Sequence, residues 1–242
     1  MIAKPLFIGT AGWSIASRHA GAFLETGTHL EKYASRLNAV EINSSFHRLH
    51  QRKTFERWAA SVPDDFRFSV KIPRAITHER RLSDCDGLLD EFLEQVRGLG
   101  NKLSVLLVQL PPNLPFDLDT AELFLRALRQ GTEASIACEP RHASWFTPDV
   151  ERMLESLSIV RVAADPSRCQ GGDMPGGWPK LAYFRMHGSP RIYYSDYELE
   201  ALRNLKLEIE SSRGTGAEVW CIFDNTARNH ALGNALAVAA ME

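Results

Sequence analysis

Residues 135–165 read SIACEPRHASWFTPDVERMLESLSIVRVAAD, and the order of features within them decides the fold. The run Ser135–Glu139 is short, apolar and stops on an acid, as a buried strand does. Thr147-Pro148 has the chemistry of a helix start, an N-cap oxygen followed by a ring tolerated at the first helical position. Behind it Val150, Met153, Leu154 and Leu157 recur at helical offsets, so one face of that helix is apolar. A second run, Val160 to Ala164, then ends on Asp165. Strand, helix and strand within about thirty residues make the crossover unit of a parallel sheet.

The same alternation extends in both directions. Strands are expected near Leu6 to Gly9, Ala39 to Asn43, Arg67 to Lys71, Leu103 to Gln109, Leu181 to Met186 and Glu218 to Phe223, in addition to the two above. Eight parallel strands close a barrel, so the fold class is α/β, a (β/α)8 TIM-barrel-like single domain over residues 1–242. Seven helices are expected, with apolar faces such as Leu30, Tyr33, Ala34 and Leu37, or Leu232, Ala235, Leu236 and Ala239. Thr28 with Glu31, Asp119 with Glu122 and Ser195 with Glu198 have capping-box spacing. Between strands six and seven, residues 165–180 are too rich in Gly and Pro for a helix. That segment reads first as a surface crossing in place of a helix, and second as a lid carrying Trp178 over the mouth.

Composition narrows the function classes. With a formal charge of -2 and no long basic block, generic attachment to nucleic acid or anionic membrane is disfavoured. No apolar run approaches a membrane span and no cleavage signal follows Met1, so no membrane partner is expected. Cys85, Cys138, Cys169 and Cys221 lie far apart, which suits reduced thiols and a cytoplasmic setting. A phosphate-cradling Gly-rich loop, a dinucleotide fingerprint, a His-Glu-x-x-His and a Gly-x-Ser-x-Gly are all missing, which weakens ATP, nicotinamide, zinc-protease and serine-hydrolase readings.

What the eight strand ends carry is polar: Gly12-Trp13, Glu41-Ile42-Asn43, Lys71, Gln109, Glu139-Pro140-Arg141-His142, Asp165, Arg185-Met186-His187 and Asp224-Asn225. In a parallel barrel these residues converge on one mouth. Strand parity places Glu41 with Asn43, Ser69 with Lys71, Leu107 with Gln109, Ala137 with Glu139, and Tyr183 and Arg185 with His187 on one inner face. Glu41, Glu139 and Asp224 balance Lys71, Arg141 and Arg185 in charge, and His187 is the one imidazole expected among them. A metal site gathers carboxylates and imidazoles in excess, so a divalent metal is disfavoured and no cofactor is called for.

Each candidate also has a structural reading. Glu41 with Lys71, and Glu139 with Arg141 or Arg185, are candidate buried ion pairs that only close the barrel. Trp13, Trp145 and Trp178 are candidate stacking walls or packing residues. Asn225, just before a helix, suits capping as well as ligand contact, Tyr193 and Tyr194 suit packing, and His78, between Lys71 and Arg80-Arg81, reads as part of a solvated loop.

The strand ends also resemble a known family, the YecE-like proteins grouped as domain of unknown function 72. The similarity is carried in order by Gly9–Ser14, Val40–Phe46, Phe68–Arg74, Ile76–His78, Leu107–Pro112, Glu139–His142, Arg185–Gly188, Tyr194–Asp196 and Phe223–Thr226. It implies a TIM-barrel-like fold without an established reaction, and draws attention to Glu41, Asn43, Lys71, Gln109, Glu139, Arg141, His187 and Asn225. Departures from the family pattern are Ile15 and Pro140 where aromatics are common, His47 where Tyr is usual, and Asp224 where Asn is expected.

The leading functional expectation is a metal-independent enzyme acting on a small anionic ligand, phosphorylated or sugar-derived. Lys71 or Glu139 would move a proton, with Glu41 among the catalytic candidates and His187 as second acid/base. Arg141 and Arg185 would clamp the anion, while Asn43, Gln109, Asn225 and Trp13 would contact the ligand. Two alternatives stand beside it: a nucleic-acid-processing or nucleic-acid-binding barrel of endonuclease-IV-like shape, disfavoured by charge, and a non-catalytic small-molecule sensor.

Overall fold

The computed structural model describes residues 4–241. Along the chain lie β1 (Leu6–Thr10), α1 (His29–Ala34), β2 (Ala39–Ile42), α2 (Arg52–Ala60), β3 (Arg67–Lys71), α3 (Asp86–Val96), β4 (Leu103–Gln109), α4 (Leu118–Gly131) and β5 (Ser135–Glu139). There follow α5 (Pro148–Ser156), β6 (Ile159–Arg161), β7 (Ala163–Asp165), β8 (Gly176–Gly177), β9 (Leu181–Met186), α6 (Leu199–Gly214), β10 (Glu218–Phe223) and α7 (His230–Ala239). The fold is mixed α/β, with seven α-helices among the described residues.

The strands form two sheets, one ordered β1-β10-β9-β7 and the other β2-β3-β4-β5-β6-β8. Every pairing is parallel except that of β8, which runs antiparallel to β6. The strand expected over Val160 to Ala164 is divided at Val162: β6 bonds to β5 of one sheet, while β7 bonds to β9 of the other. One run of chain therefore serves both sheets. They also meet on the far side, where Ala11 bridges Glu41 and the Gly12 N–H donates to the Glu41 carbonyl at 2.8 Å. Gly9 permits this approach, because a Cβ there would lie 2.1 Å from the Ala39 carbonyl oxygen.

Parity sorts the strand residues into two apolar groups. Val40, Ile42, Leu106, Val108, Ile136 and Cys138 pack in the larger cluster, with the buried faces of the helices. Ala39, Val105, Leu107, Ala137, Tyr183 and Trp220 form a separate cluster drawn from both sheets. Within it Tyr183 stacks on Trp220 at 6.0 Å.

Helix starts follow the sequence in part. Thr28 and Glu31 form a complete capping box, and Thr147 caps α5 with Pro148 in its first turn. For α4 the cap is Asp117, which accepts from the Thr120 N–H, so Asp119 lies inside the helix. Ser195 does not cap α6; its Oγ accepts from the Arg191 N–H at 3.0 Å, and the helix begins at Leu199. The Gly/Pro-rich crossing is tied down by Arg161, which ion-pairs with Glu151 and donates to the carbonyls of Gly171 at 2.9 Å and Met174 at 3.1 Å. The Trp178 N–H donates to the Ile159 carbonyl, at the start of β6 and away from the polar strand ends, so Trp178 is not a cover for them. No helix in the described residues is long and apolar enough to cross a membrane, and all four cysteines are free.

Candidate functional site

The strand ends assemble two charged layers. The lower is centred on Arg185, wholly buried near the end of β9. Its Nε donates to Glu41 Oε2 at 2.9 Å, and Nη2 to Glu41 Oε1 at 2.6 Å and Asp224 Oδ2 at 3.0 Å. Nη1 donates to Glu139 Oε2 at 2.7 Å. One guanidinium thus engages carboxylates from beyond or within β2, β5 and β10. The Tyr183 hydroxyl, one inward position deeper, donates to Glu41 Oε2 at 3.1 Å and accepts from the Ser69 hydroxyl at 2.9 Å. With these carboxylates around it, Arg185 is held well above its ordinary pKa despite its burial. Four of its five N–H donors are spent on these acids and the residue is wholly buried, which leaves it no access to a ligand, contrary to the role expected of it.

Glu139 is equally engaged. Gln109 Nε2 donates to both its oxygens at 3.1 and 3.0 Å, and Arg141 Nε reaches Oε1 at 3.0 Å. Burial pushes its carboxyl up, but Arg141, Arg185 and His187 outweigh this and hold it well below the usual carboxylate range. A carboxylate so held is a poor proton acceptor. Both nitrogens of His187 face carboxylates, Nε2 toward Glu139 at 3.0 Å and Nδ1 toward Asp224 at 3.2 Å. That pairing suits the doubly protonated ring. Burial works against the charge, but Glu139 and Asp224 raise the imidazole above its ordinary value. Asp224 is lowered in return by Arg185 and His187, against its burial.

This changes the charge balance expected from the sequence. Glu41, Glu139 and Asp224 are matched by Arg185, Arg141 and His187, three against three, without Lys71. The Glu41–Lys71 ion pair does not form. Lys71 is 6% exposed, makes no ion pair with a described carboxylate, and holds its Nζ 4.0 Å from the centroid of the Phe46 ring. Burial, followed by the nearby Arg185 charge, pushes its amine down to about 8.

Above the network lies a cavity of about 510 Å³ whose lining includes Asn43, Lys71, Arg74, His78, Gln109 and Arg141, a size common for small-ligand sites. Asp224, already bonded to Arg185 and His187, is the one carboxylate of the lining, against three cations. His78 belongs here rather than to a solvated loop. A π-helical turn over Ala75–Glu79 folds it back against Phe46, at 5.0 Å between ring centroids. Burial, then Lys71, Arg141 and Arg74, push its imidazole down to about 4, so the ring is neutral near pH 7. Tyr193, also in the lining, has φ 70, a strained conformation for a bulky side chain, and its ring meets His187 edge-on at 5.8 Å. Asn43 is a residue of the lining, and its Oδ1 is buried without a partner.

The remaining candidates lie outside this cavity's lining. Asn225, fully buried, donates to the Ser195 carbonyl at 2.9 Å and to Asn234 Oδ1 at 2.8 Å, bracing the loop before α6. Trp13 packs edge-on against Trp58, and the buried Trp145 donates to the Leu114 carbonyl at 3.0 Å. A larger groove of about 750 Å³ adjoins the site through Tyr194, but its lining carries Asp165, Asp196, Glu198 and Glu200 against Arg191 and Arg228. The smaller cavity is therefore the one whose charge favours an anion. Among the described residues no cluster of His, Cys, Asp and Glu has a metal-holding arrangement.

Fold and site together define an α/β protein of parallel sheets whose strand ends gather a closed ion network beneath a cationic cavity. The profile of the family described as "Protein of unknown function DUF72" matches residues 7–241, and the chain belongs to that family. It is 32% identical to the UPF0759 protein YecE of Escherichia coli K12 over 167 residues, 66% of this chain and 59% of that protein. Against UPF0759 protein YunF of Bacillus subtilis 168, identity is 25% over 149 residues, covering 59% of this chain and 53% of the relative. The matches thus span little more than half the length of these relatives. A DUF72 family protein of Enterococcus faecalis V583 superposes with a TM-score of 0.82 at 22% identity, covering 98% of this chain and 96% of the other. A DUF72 family protein of Thermotoga maritima MSB8 gives 0.78 at 24% identity, with 96% of each chain covered.

Proposed function

We propose that the two sheets are arcs of one eight-stranded (β/α)8 barrel domain, and that its mouth is a metal-independent catalytic site for a small anionic compound, phosphorylated or sugar-derived. The barrel reading rests on the Ala11–Glu41 bridge and on the division of one strand run between β6 and β7, with the crossing over residues 166–180 in place of a helix. The anion reading rests chiefly on Lys71, a buried cation left over after every acid of the site has been matched. The largely buried Arg141 and the exposed Arg74, which also pairs with Glu79 at 3.4 Å, border the same space, and cations around a partly desolvated cavity select an anion. The metal-independent reading is supported by the donor set: Glu41 and Glu139 accept on both oxygens from Arg185, Tyr183, Gln109, Arg141 and His187.

Roles follow from these states. Lys71 is the group that exchanges a proton near neutral pH, Arg141 holds the anion, and Asn43 and Gln109 orient it. Arg185, Glu41, Glu139 and His187 position Arg141 and the strand ends. Calorimetry with inorganic phosphate tests the binding half of this reading: wild type binds, and Lys71→Met and Arg141→Met each weaken binding by roughly tenfold or more. Equal affinity in all three proteins would overturn it. Consumption of the bound compound separates an enzyme from a sensor.

A further inference from the structure

We propose that Lys71 is a nucleophile that condenses with the carbonyl of an aldehyde or ketone carrying a phosphate or carboxylate, forming an iminium on Nζ. The inference rests on the anion-binding reading of the cavity and names the substrate class that reading leaves open.

Geometry sets Lys71 apart from an anion clamp. A clamp works best as a permanent cation, and Arg141 is one: its Nε and Nη2 are held on Glu139 Oε1 at 3.0 and 2.9 Å. Lys71 has no such anchor. The groups that face it are Arg185, Glu41, Asp224 and Glu139 from below and His78 from the turn after β3, with Phe46 against the amine. Those acids are spent on Arg185, Arg141 and His187, whereas Arg185 repels an ammonium. Burial and the Arg185 charge draw the amine toward the free base while the Phe46 face favours the ammonium, so at the wall of this cavity Lys71 is chiefly a cation at pH 7 with a substantial share of free amine. With its pKa pushed down to about 8, the free-amine fraction near neutral pH exceeds that of an ordinary lysine by roughly three hundredfold.

The step balances without another reactant. The Nζ lone pair forms a bond to the carbonyl carbon as the C=O π pair moves to oxygen, which takes a proton. The carbinolamine loses its hydroxyl as water after a second protonation, while one N–H proton returns to the medium. The sum is amine plus carbonyl plus one proton, giving iminium and water. Arg141 and Arg74 face the space in which the substrate's anionic group would lie. The iminium then withdraws electrons from the adjacent carbon, so the reaction class is one that makes or breaks a bond there.

The test is reductive trapping with glycolaldehyde phosphate and cyanoborohydride at pH 7.5, followed by peptide mapping of all seven lysines. The expected result is a secondary amine on Lys71, formed about a hundredfold faster than at any other lysine, suppressed by glycerol 3-phosphate and absent in Lys71→Arg. Uncharged glycolaldehyde should label Lys71 far less. Thermal melts of Lys71→Arg verify folding, and glycerol 3-phosphate binding to wild type is measured separately. Binding of glycerol 3-phosphate without selective labelling of Lys71 would overturn the nucleophile and leave the anion reading standing. Absence of that binding would overturn the anion reading itself. Equal labelling of Lys71 by the charged and uncharged aldehydes would overturn the assigned substrate class.

Discussion

The network around Arg185 and the ring around Lys71 use the same kinds of side chain at neighbouring strand ends, yet in one the charges meet and in the other they do not. Arg185 spends its guanidinium on Glu41, Glu139 and Asp224. Lys71 has an aromatic face on one side and a cavity on the other. Charge that is paired supports the fold, and charge left over is available to a ligand. The same desolvation therefore has opposite consequences: it strengthens the pairs below and loosens the proton above.

Breaking the paired region should produce the largest effect. Arg185→Met leaves the buried Glu41 without a cation and weakens the pairing of Glu139 and Asp224, and stability near pH 7 should fall by about 3–5 kcal/mol in denaturant titrations. The deficit should shrink in acid as those carboxyls take up protons. Next comes Glu139→Gln, expected to cost about 3 kcal/mol and to lower the His187 pKa by removing its principal stabilising charge. In wild type, Glu139 and Asp224 have folded pKa values below their unfolded ones. Their stabilisation is thus complete above about pH 4.5 and is lost as pH falls below it. A flat acid limb for wild type would contradict that assignment.

Relieving the unpaired charge should act in the other direction. Lys71→Met is expected to leave stability unchanged or raise it by about 1–3 kcal/mol at pH 7 while weakening phosphate binding by roughly tenfold or more. The sign follows from the lowered amine: the unfolded chain holds that proton more tightly, so wild-type stability climbs as pH rises from about 8 to 10.5. The Lys71→Met protein should lack this climb, and a large loss of stability would place Lys71 among the paired charges instead. The smallest effect belongs to Trp178→Ala. Because Trp178 is anchored at the start of β6, phosphate affinity should be unchanged within about twofold.

How much of this was legible in the sequence depended on what parity can carry. Alternation placed Glu41, Lys71, Glu139, Arg185 and His187 on one face, and the apolar residues between them do fall into separate clusters. Parity does not give depth. Arg185 lies two residues before His187, a step of about 6.6 Å along a strand, and that step separates a wholly buried core charge from the residues nearer the cavity. Register also decides which acids meet: Arg185 stands level with Ile222 of β10 and Ala164 of β7, offsets set by tertiary pairing. His78 was missed because it lies among basic residues that read as a solvated loop, whereas Ile76 and Thr77 are fully buried and turn it inward. In α4 both Asp117 and Asp119 suit an N-cap, and the extended backbone at Asp117 decides between them.

The distinction between closed and open charge meets its most direct test in the NMR titration of His78 and His187 with and without inorganic phosphate. His78 is depressed to about 4 by burial and by the cations that would hold the anion, so bound phosphate should raise its pKa by roughly one unit or more. His187, locked between Glu139 and Asp224, should hold its value. A His78 that ignores phosphate, or a His187 that moves in its place, would contradict the account.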